Sequence, residues 1–523
     1  MASVENNGSE TLDTVVVGGG MGGLSAALRI AGAGGRVAVL ERGSEAGGKM
    51  RVVRSANQEI DAGPTVLTMR PVFEALWAEA GLDFAGAVVT QPLEVLARHA
   101  WMDGSTLDLF SAPERSAEAI ADFAGPGEAD AFRAFHKNAK SIYETVRAPF
   151  IEADTPGIMA GLTNTGPRGL WQLMKIDWHR SLWRTLGSYF NDPRLRQLFA
   201  RYATYYGSNP FSAPGTLSLI AAVEQAGVWR VQGGMIELAR ATASAIETLG
   251  GEVHCNTEVA EIETDSSGVT GVRCADGRRF KCKTVVFNGS PAALSAGLLG
   301  GGTRRAVAAK QPERSLSAVT FCGVGRAEGF ELQWHNVFFS DDYQAEFDAI
   351  FRKGRIPQRP TTYICAQDRG SLHEARAQER LLCLVNAPAR GDQRDFDEEI
   401  ETCKTNMMQL LSRCGLELTM GDSIVTTPSQ FASMFPQTGG ALYGPATHGA
   451  AAAFARPGAS TKIPGLYLVG GDAHPGAGVP MVTLGGRIAA DQVFDHLGLT
   501  RPSLQTGMRG GTSMPSVRTA NSR

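Results

Sequence analysis

Four positions near the N-terminus have the types and spacing to hold a phosphate. Gly18, Gly20 and Gly23 form G-x-G-x-x-G after the apolar run 14–17, and Glu41 closes a second apolar run at 36–40. In such a pattern the first glycine permits a tight turn. The second lets backbone approach a pyrophosphate, and the third allows close helix–strand packing. The helix beginning there offers unpaired N–H groups and its positive dipole end to the phosphates. Glu41 lies 18 residues beyond Gly23, where an acid accepts the ribose hydroxyls of an adenosine. A bare glycine pattern is a weak signal. Strand, turn, helix, second strand and acid in this order point to a dinucleotide.

RGSEAGGKM follows Glu41 and brings Gly47-Gly48 with Lys49 behind them. Taken alone this is a solvated turn. It is not part of a nicotinamide fingerprint, and it is similar to the extended motif of FAD enzymes of the glutathione-reductase-like and amine-oxidase-like kinds. The resemblance implies that Gly48 and Lys49 lie along the pyrophosphate and flavin. The usual base there is arginine, whereas Lys49 brings a point charge without a planar fork. Far downstream, GLYLVGGDAHPGAGVPM at 465–481 supplies Gly470-Gly471 and then Asp472. That carboxylate is placed to accept from a ribityl hydroxyl. Read singly, Asp472 also fits a helix cap and His474 a turn.

The elements that must carry these residues follow from periodicity. TVVV, a glycine turn, helix formers at 24–30 and RVAVL make a βαβ unit. From about 80 to 225 longer amphipathic stretches predict a mainly helical region. A glycine turn and helix are predicted over 232–249, and alternating runs with a DG hairpin signal at 276–277 follow. Strand, turn and helix return over 466–497. The layout suggests one domain assembled from three separated pieces with a second inserted between them. With the resemblance to FAD enzymes it implies an α/β class, a Rossmann-type FAD-binding domain of the amine-oxidase-like flavoprotein kind with an inserted α+β substrate domain. The boundaries are 12–75, 230–295 and 438–498 for the first, 76–229 and 296–437 for the second, and 499–523 for a flexible tail.

The chain has 523 residues, 43% hydrophobic and 20% charged, a composition too apolar and too balanced for disorder. It exceeds the ~250–300 residues at which one core usually stops growing, so two or more lobes are expected. Fifty basic against 53 acidic residues leave a charge of −3. Such a balance gives no whole-molecule field for nucleic acid, and no nucleic-acid partner is expected. The eight cysteines form no C-x-x-C pair and none precedes 255. Neither a zinc ribbon nor a disulfide framework is expected, and a reducing, cytoplasmic setting is. The opening MASVENNGSETLD lacks the basic and apolar regions of a signal peptide. With no run of ~18 apolar residues, any membrane contact is expected to be peripheral.

With these motifs together, the chain resembles the bacterial phytoene-desaturase family of carotenoid desaturases. The matching segments are VVVGGGMGGLSAALRIAGAG, Asp61-Ala62-Gly63-Pro64-Thr65, Gly233-Gly234-Met235 and GLYLVGGDAHPGAGVPM, over residues 12–498. GPTVLTM, WHNVFFSDDYQAEF, RPTTYICAQDR, TGGALYG and HPGAGVPM with LGGRIAA resemble the 1-hydroxycarotenoid 3,4-desaturase branch. The resemblance implies FAD as cofactor, an acyclic carotenoid as substrate, an apolar tunnel and peripheral attachment to membrane lipid. It also implies that Val259 presents backbone to the adenine. Phytoene desaturase, or another polyene oxidoreductase of this fold, is the alternative activity. A prenyl-lipid escort protein that keeps the scaffold is the non-catalytic one. No metal site is expected, and neither the oligomeric state nor a catalytic base is legible. His254, His335, His448 and His474 are conceivable bases and none is assigned.

One further stretch, 168–187, interleaves Trp171, Trp178 and Trp183 with Arg168, Lys175, Arg180 and Arg184. Aromatic rings with cations suit a lipid headgroup interface, and a core helix explains the same spacing equally well.

Overall fold

The computed structural model describes residues 11–153, 176–309, 312–370, 378–449, 452 and 456–502. Two sheets organise them. The first has at its centre the strand Leu12–Val17, flanked in parallel by Val37–Leu40 and by Arg279–Phe287. Glu252–His254 extends it on one side and Leu466–Leu468 pairs in parallel with Arg279–Phe287 on the other. Val15, Val16, Val39, Val285 and Val286 are fully buried or nearly so, because a parallel sheet is covered on both faces. The hairpin of Val259–Thr264 and Val269–Cys274 runs antiparallel into the first half of Arg279–Phe287. Its continuation turns at Asp276-Gly277, with Gly277 at φ 91°, as the DG signal predicts.

Three helices cover this sheet: Met21–Gly32, Ile236–Thr248 and Val479–Leu497. The first and third are pinned together by a buried ion pair. Arg29 donates to Glu79 at 2.7 Å and also to Asp491, with Arg29 and Glu79 side chains 2% exposed. At Gly486 an added Cβ would lie 2.5 Å from the Gly22 carbonyl, so the two helices touch through backbone there.

The second sheet has eight strands and is mainly antiparallel, with Ser317–Glu328 and Glu379–Ala387 paired over nine positions at its centre. It carries His335–Phe338 and Thr362–Ala366 side by side. The region 80–225 is less uniformly helical than its periodicity predicts. Pro113–Ala124 and Pro126–Val146 are helices, but Val95–Ala100 and Thr106–Phe110 form a hairpin and join this sheet by a parallel pairing to His335–Phe338. A third hairpin, Val52–Ser55 with Gln58–Asp61, ties the two sheets. Gln367 brackets Asp61 with bonds of 2.9 Å to its backbone N–H and carbonyl, and Arg380 donates to the Glu59 carbonyl at 3.0 Å. All eight cysteines are free thiols.

Candidate functional site

Gly18, at φ 100°, turns the chain out of the first strand, and its N–H is held by the Leu40 carbonyl at 2.8 Å. Helix Met21–Gly32 begins at once, with Gly20 as its cap and no side chain capping it. Its first N–H groups therefore lack intrahelical partners. There is no room for side chains in this turn. A Cβ at Gly23 would lie 2.4 Å from the Gly18 carbonyl, and one at Gly20 would lie 2.9 Å from Asn288 Nδ2. Asn288 fixes the turn by donating to the Gly18 and Gly20 carbonyls, each at 3.1 Å.

The second glycine pair stacks on the first. Gly47 N–H donates to the Gly19 carbonyl at 2.9 Å, and a Cβ at Gly48 (φ 60°) would meet the Gly20 Cα at 3.0 Å. Glu41 stands beside this wall. Its Oε2 accepts from Gly19 N–H and its Oε1 from Gly43 N–H, both at 2.7 Å. Each oxygen so held keeps acceptor capacity for a hydroxyl. Thr257 N–H reaches the Glu41 carbonyl at 2.8 Å, which draws the start of Val259–Thr264 to the same end. Val259 is buried there and pairs with Cys274. Gly18, Gly20, Gly23, Glu41, Gly48 and Val259 are thus brought to one side of the first sheet. Bare backbone, a free helix N-terminus and a fixed carboxylate fit the pyrophosphate and ribose of a dinucleotide.

Lys49, Gly471 and Asp472 form a second group. The buried Lys49 ammonium donates to the Leu442 carbonyl at 2.7 Å and faces the Phe435 ring at 5.3 Å. Burial pulls its pKa down; the Asp472 carboxylate opposes that and the Arg456 guanidinium adds to it. Asp472 caps none of the described helices. Its Oδ2 accepts from Ser290 Oγ at 2.5 Å, and a Cβ on Gly444 would lie 2.6 Å from its Oδ1. Arg456, absent from the sequence reading, is 3% exposed. It binds the Tyr443, Pro445 and Gly471 carbonyls and locks the 443–445 loop to the 470–472 turn.

A cavity of about 390 Å³ opens between this group and the second sheet, within the ~300–1,000 Å³ usual for small-molecule sites. Gly63-Pro64-Thr65 and 477–481 form one wall, and apolar side chains such as Val146, Ile176, Leu217, Ile220 and Leu382 form much of the rest. Polar residues interrupt them, among them Thr361, Asn386, Arg456 and His474, and two hydrogen-bonded sets stand out. In one, Arg201 donates to both Glu224 oxygens at 3.1 Å, while Tyr202 and Tyr205 donate to them at 2.5 and 2.9 Å. In the other, Tyr363 Oη lies 2.7 Å from Thr65 Oγ1 and 2.6 Å from His335 Nδ1. Sequence reading missed Arg201, Glu224 and Asn288. The closely spaced R-Y-x-x-Y of 201–205 was the only local signal for the first set.

Of the four histidines weighed, His474 lines the cavity; its Nε2 lies 3.0 Å from the Ala153 carbonyl and burial lowers its pKa. His335 sits behind Tyr363, pushed down to about 3 by burial and then by the Arg201 charge. His448 and His254 pair with Glu313 and Glu252 and neither lines the cavity. Among the described residues no cluster is fit to hold a metal. Arg168, Trp171 and Lys175 lie outside the described residues. Trp183 turns inward, 4.8 Å from the Phe211 ring, whereas Trp178 is 46% exposed.

Residues 21–494 match the family described as flavin containing amine oxidoreductase. Hydroxyneurosporene desaturase of Rubrivivax gelatinosus is 46% identical over 511 residues, 97% of each chain. The chain belongs to this flavin-containing family, among its carotenoid desaturases. The hydroxyneurosporene desaturase of Cereibacter sphaeroides is 44% identical, over 92% of this chain and 97% of its own. An oxidoreductase structure from Methanosarcina mazei has a TM-score of 0.57 at 17% identity, covering 91% of this chain and 99% of that one. At that identity the likeness is one of fold. The amine-oxidase-like architecture read from the glycine motifs is the one observed.

Proposed function

We propose that the protein is an FAD-dependent carotenoid desaturase that introduces the C3–C4 double bond into 1-hydroxy or 1-methoxy acyclic carotenoids, such as hydroxyneurosporene. The observation that carries the reading is the cavity, bounded in part by the Gly63–Thr65 and 477–481 segments, whose exposed lining is mostly apolar. Gly18, Gly20 and Gly23 with the helix N-terminus would hold the pyrophosphate, Glu41 the adenosine ribose, and Val259 the adenine. Gly48, Lys49, Gly471 and Asp472 would hold the ribityl and flavin end. Residues 12–75, 230–295 and 438–498 would form the FAD lobe, and 76–229 with 296–437 the substrate lobe.

Bound FAD supplies a two-electron acceptor, taking a hydride from one carbon as the neighbouring carbon loses a proton. The chain's share is positioning and dryness. Apolar walls exclude water and hold the polyene in one register. An allylic position spreads developing positive charge into the polyene, so a strong base is not demanded of the wall. Burial lowers the pKa of His474 and so disfavours its charged form. Incubating the purified protein with hydroxyneurosporene and phytoene side by side tests the reading. The hydroxylated substrate should gain one double bond and absorb further to the red, with phytoene converted at least about 100-fold more slowly. Efficient multi-step desaturation of phytoene with no turnover of hydroxyneurosporene would refute it.

Peripheral attachment to a membrane in the cytoplasm belongs to the same proposal. No helix among the described residues is long and apolar enough to cross a membrane. Trp178 is exposed and also lines the cavity, with exposed Arg180 and Arg184 nearby in the chain. Rings and cations at a cavity opening suit a lipid surface that supplies the substrate. Trp178→Ser should reduce partition into anionic liposomes roughly 3- to 10-fold, with flavin absorbance per chain unchanged. Equal sedimentation of variant and wild type with the vesicles would remove Trp178 from the interface.

A further inference from the structure

Thr65, His335 and Tyr363 come from GPTVLTM, WHNVFF and RPTTYICAQDR, the first segment far in the chain from the other two. Thr65 and Tyr363 meet in the cavity wall, with His335 behind them. His335–Phe338 and Thr362–Ala366 are neighbouring antiparallel strands, which sets the imidazole 2.6 Å from the Tyr363 hydroxyl. The Val52–Asp61 hairpin delivers the 61–65 segment against the same strands, and Thr65 Oγ1 comes to 2.7 Å from that hydroxyl. The buried Cys365 thiol lies beside both hydroxyls. A tyrosine hydroxyl with three such neighbours is fully used, while the threonine hydroxyl keeps one free donor or acceptor site. Thr65 and Tyr363 line the cavity. His335 is 3% exposed and its Nε2 has no hydrogen-bond partner among the described residues.

We propose that the Thr65 hydroxyl, positioned by Tyr363 and His335, is the group that binds the oxygen on C1 of the carotenoid. This rests on the 3,4-desaturase reading and names the polar contact that reading requires. The substrate oxygen is three bonds from C3, a span below about 4 Å at ordinary bond lengths. Its partner must therefore sit beside the reacting carbons rather than at the far end of the cavity. With Gly48 and Lys49 along the flavin, as proposed above, Thr65 meets that condition. It follows Gly63, where a Cβ would lie 1.9 Å from the Lys49 carbonyl, so its loop is seated directly on the segment that continues the second glycine pair. Thr361, Asn386, Arg456 and His474 also line the cavity, and the Arg201–Glu224 set is a second hydrogen-bonded cluster in its wall. There each Glu224 oxygen already accepts from Arg201 and a tyrosine, so it serves less well as an open site. A threonine hydroxyl rotates to donate or accept, so it suits a hydroxyl and a methoxy oxygen alike.

The test is equilibrium binding, read by quenching of protein fluorescence, to FAD-loaded protein held reduced under anaerobic conditions so that no turnover occurs. The probes are hydroxyneurosporene and neurosporene, the same chain without the hydroxyl. Wild type should bind the hydroxylated probe at least about 10-fold more tightly, because the neurosporene complex leaves the buried polar wall unpaired. Thr65→Val should abolish that ratio while neurosporene binding stays within about 2-fold, and Thr65→Ser, which restores a hydroxyl, should keep it. Tyr363→Phe, the second variant, should reduce the ratio. A ratio unchanged in both Thr65→Val and Tyr363→Phe overturns the assignment of Thr65 and leaves the desaturase reading standing. A wild-type ratio near one instead overturns the 3,4-desaturase reading itself.

Discussion

Gly23→Ala should empty the protein of flavin. The added Cβ would lie 2.4 Å from the Gly18 carbonyl, 2.9 Å from Val16 Cγ1 and 3.0 Å from Asn288 Nδ2. None of the three can retreat. The Gly18 carbonyl and Asn288 hold each other at 3.1 Å, and Val16 is fully buried in the central strand. The helix start must move instead, and overpacking of this kind costs about 1–3 kcal/mol. Because the same movement withdraws the N–H groups facing the pyrophosphate, FAD affinity should fall by roughly 100-fold or more. Gly127→Ala is the matched control: nothing lies within 4 Å of its added Cβ, and it opens a helix. That change should be neutral or stabilise by ~0.5–1 kcal/mol. Visible flavin absorbance per chain, after dialysis, compares the two. Equal retention would place the pyrophosphate elsewhere.

What made this region legible is that its requirements are local. A turn, a close backbone approach and a helix start each leave a glycine at a fixed offset, and the acid follows at the end of the next strand. Asp472 was legible for the same reason, as the residue after a strand and a glycine turn. The cavity wall was not. Thr65 lies 298 residues from Tyr363, and His335 28 residues from it; the three become neighbours only through strand pairing and the bridging hairpin. A polar residue in a half-buried strand looks the same in sequence whether it faces a cavity or a core. Arg456 was hidden because its hydrogen-bond partners among the described residues are all backbone carbonyls, which leave no trace of residue type.

The missed hairpin at 95–110 is a different case. Asp103-Gly104 lies between VLARHA and TLDLF, and it is the same turn signal that marks 276–277. Its flanking runs are only five and six residues long, and strong helical periodicity on the C-terminal side masked them. Trp183 shows the limit of composition. Its alternation with arginines fits a lipid interface and a core helix equally, and only its contact with Phe211 separates the two.

The other large effect is expected at Glu224. Arg201 and Glu224 form an ion pair with side chains 5% and 4% exposed, and both tyrosine hydroxyls of the set donate to the carboxylate. Glu224→Ala would leave a buried guanidinium beside His99 and Tyr205 with no counter-charge. Breaking a buried pair from one side costs about 3–5 kcal/mol, a large part of the ~5–15 kcal/mol that holds a typical protein folded. The variant should unfold at a markedly lower urea midpoint and lose the cavity with it. The double change Glu224→Leu with Arg201→Met removes both charges and should recover most of the loss, because no uncompensated ion remains. Recovery should stop short of wild type, since Tyr202 and Tyr205 keep hydroxyls without an acceptor, at about 1–3 kcal/mol for each left buried. Glu94→Ala gives the scale at the surface. Its partner Arg115 and Glu94 are 48% and 71% exposed, and such pairs contribute about 0–1 kcal/mol. If Glu224→Ala and Glu94→Ala shift the midpoint alike, the buried set does not hold the cavity wall. A double variant less stable than Glu224→Ala would show that the pair's contribution is packing rather than charge.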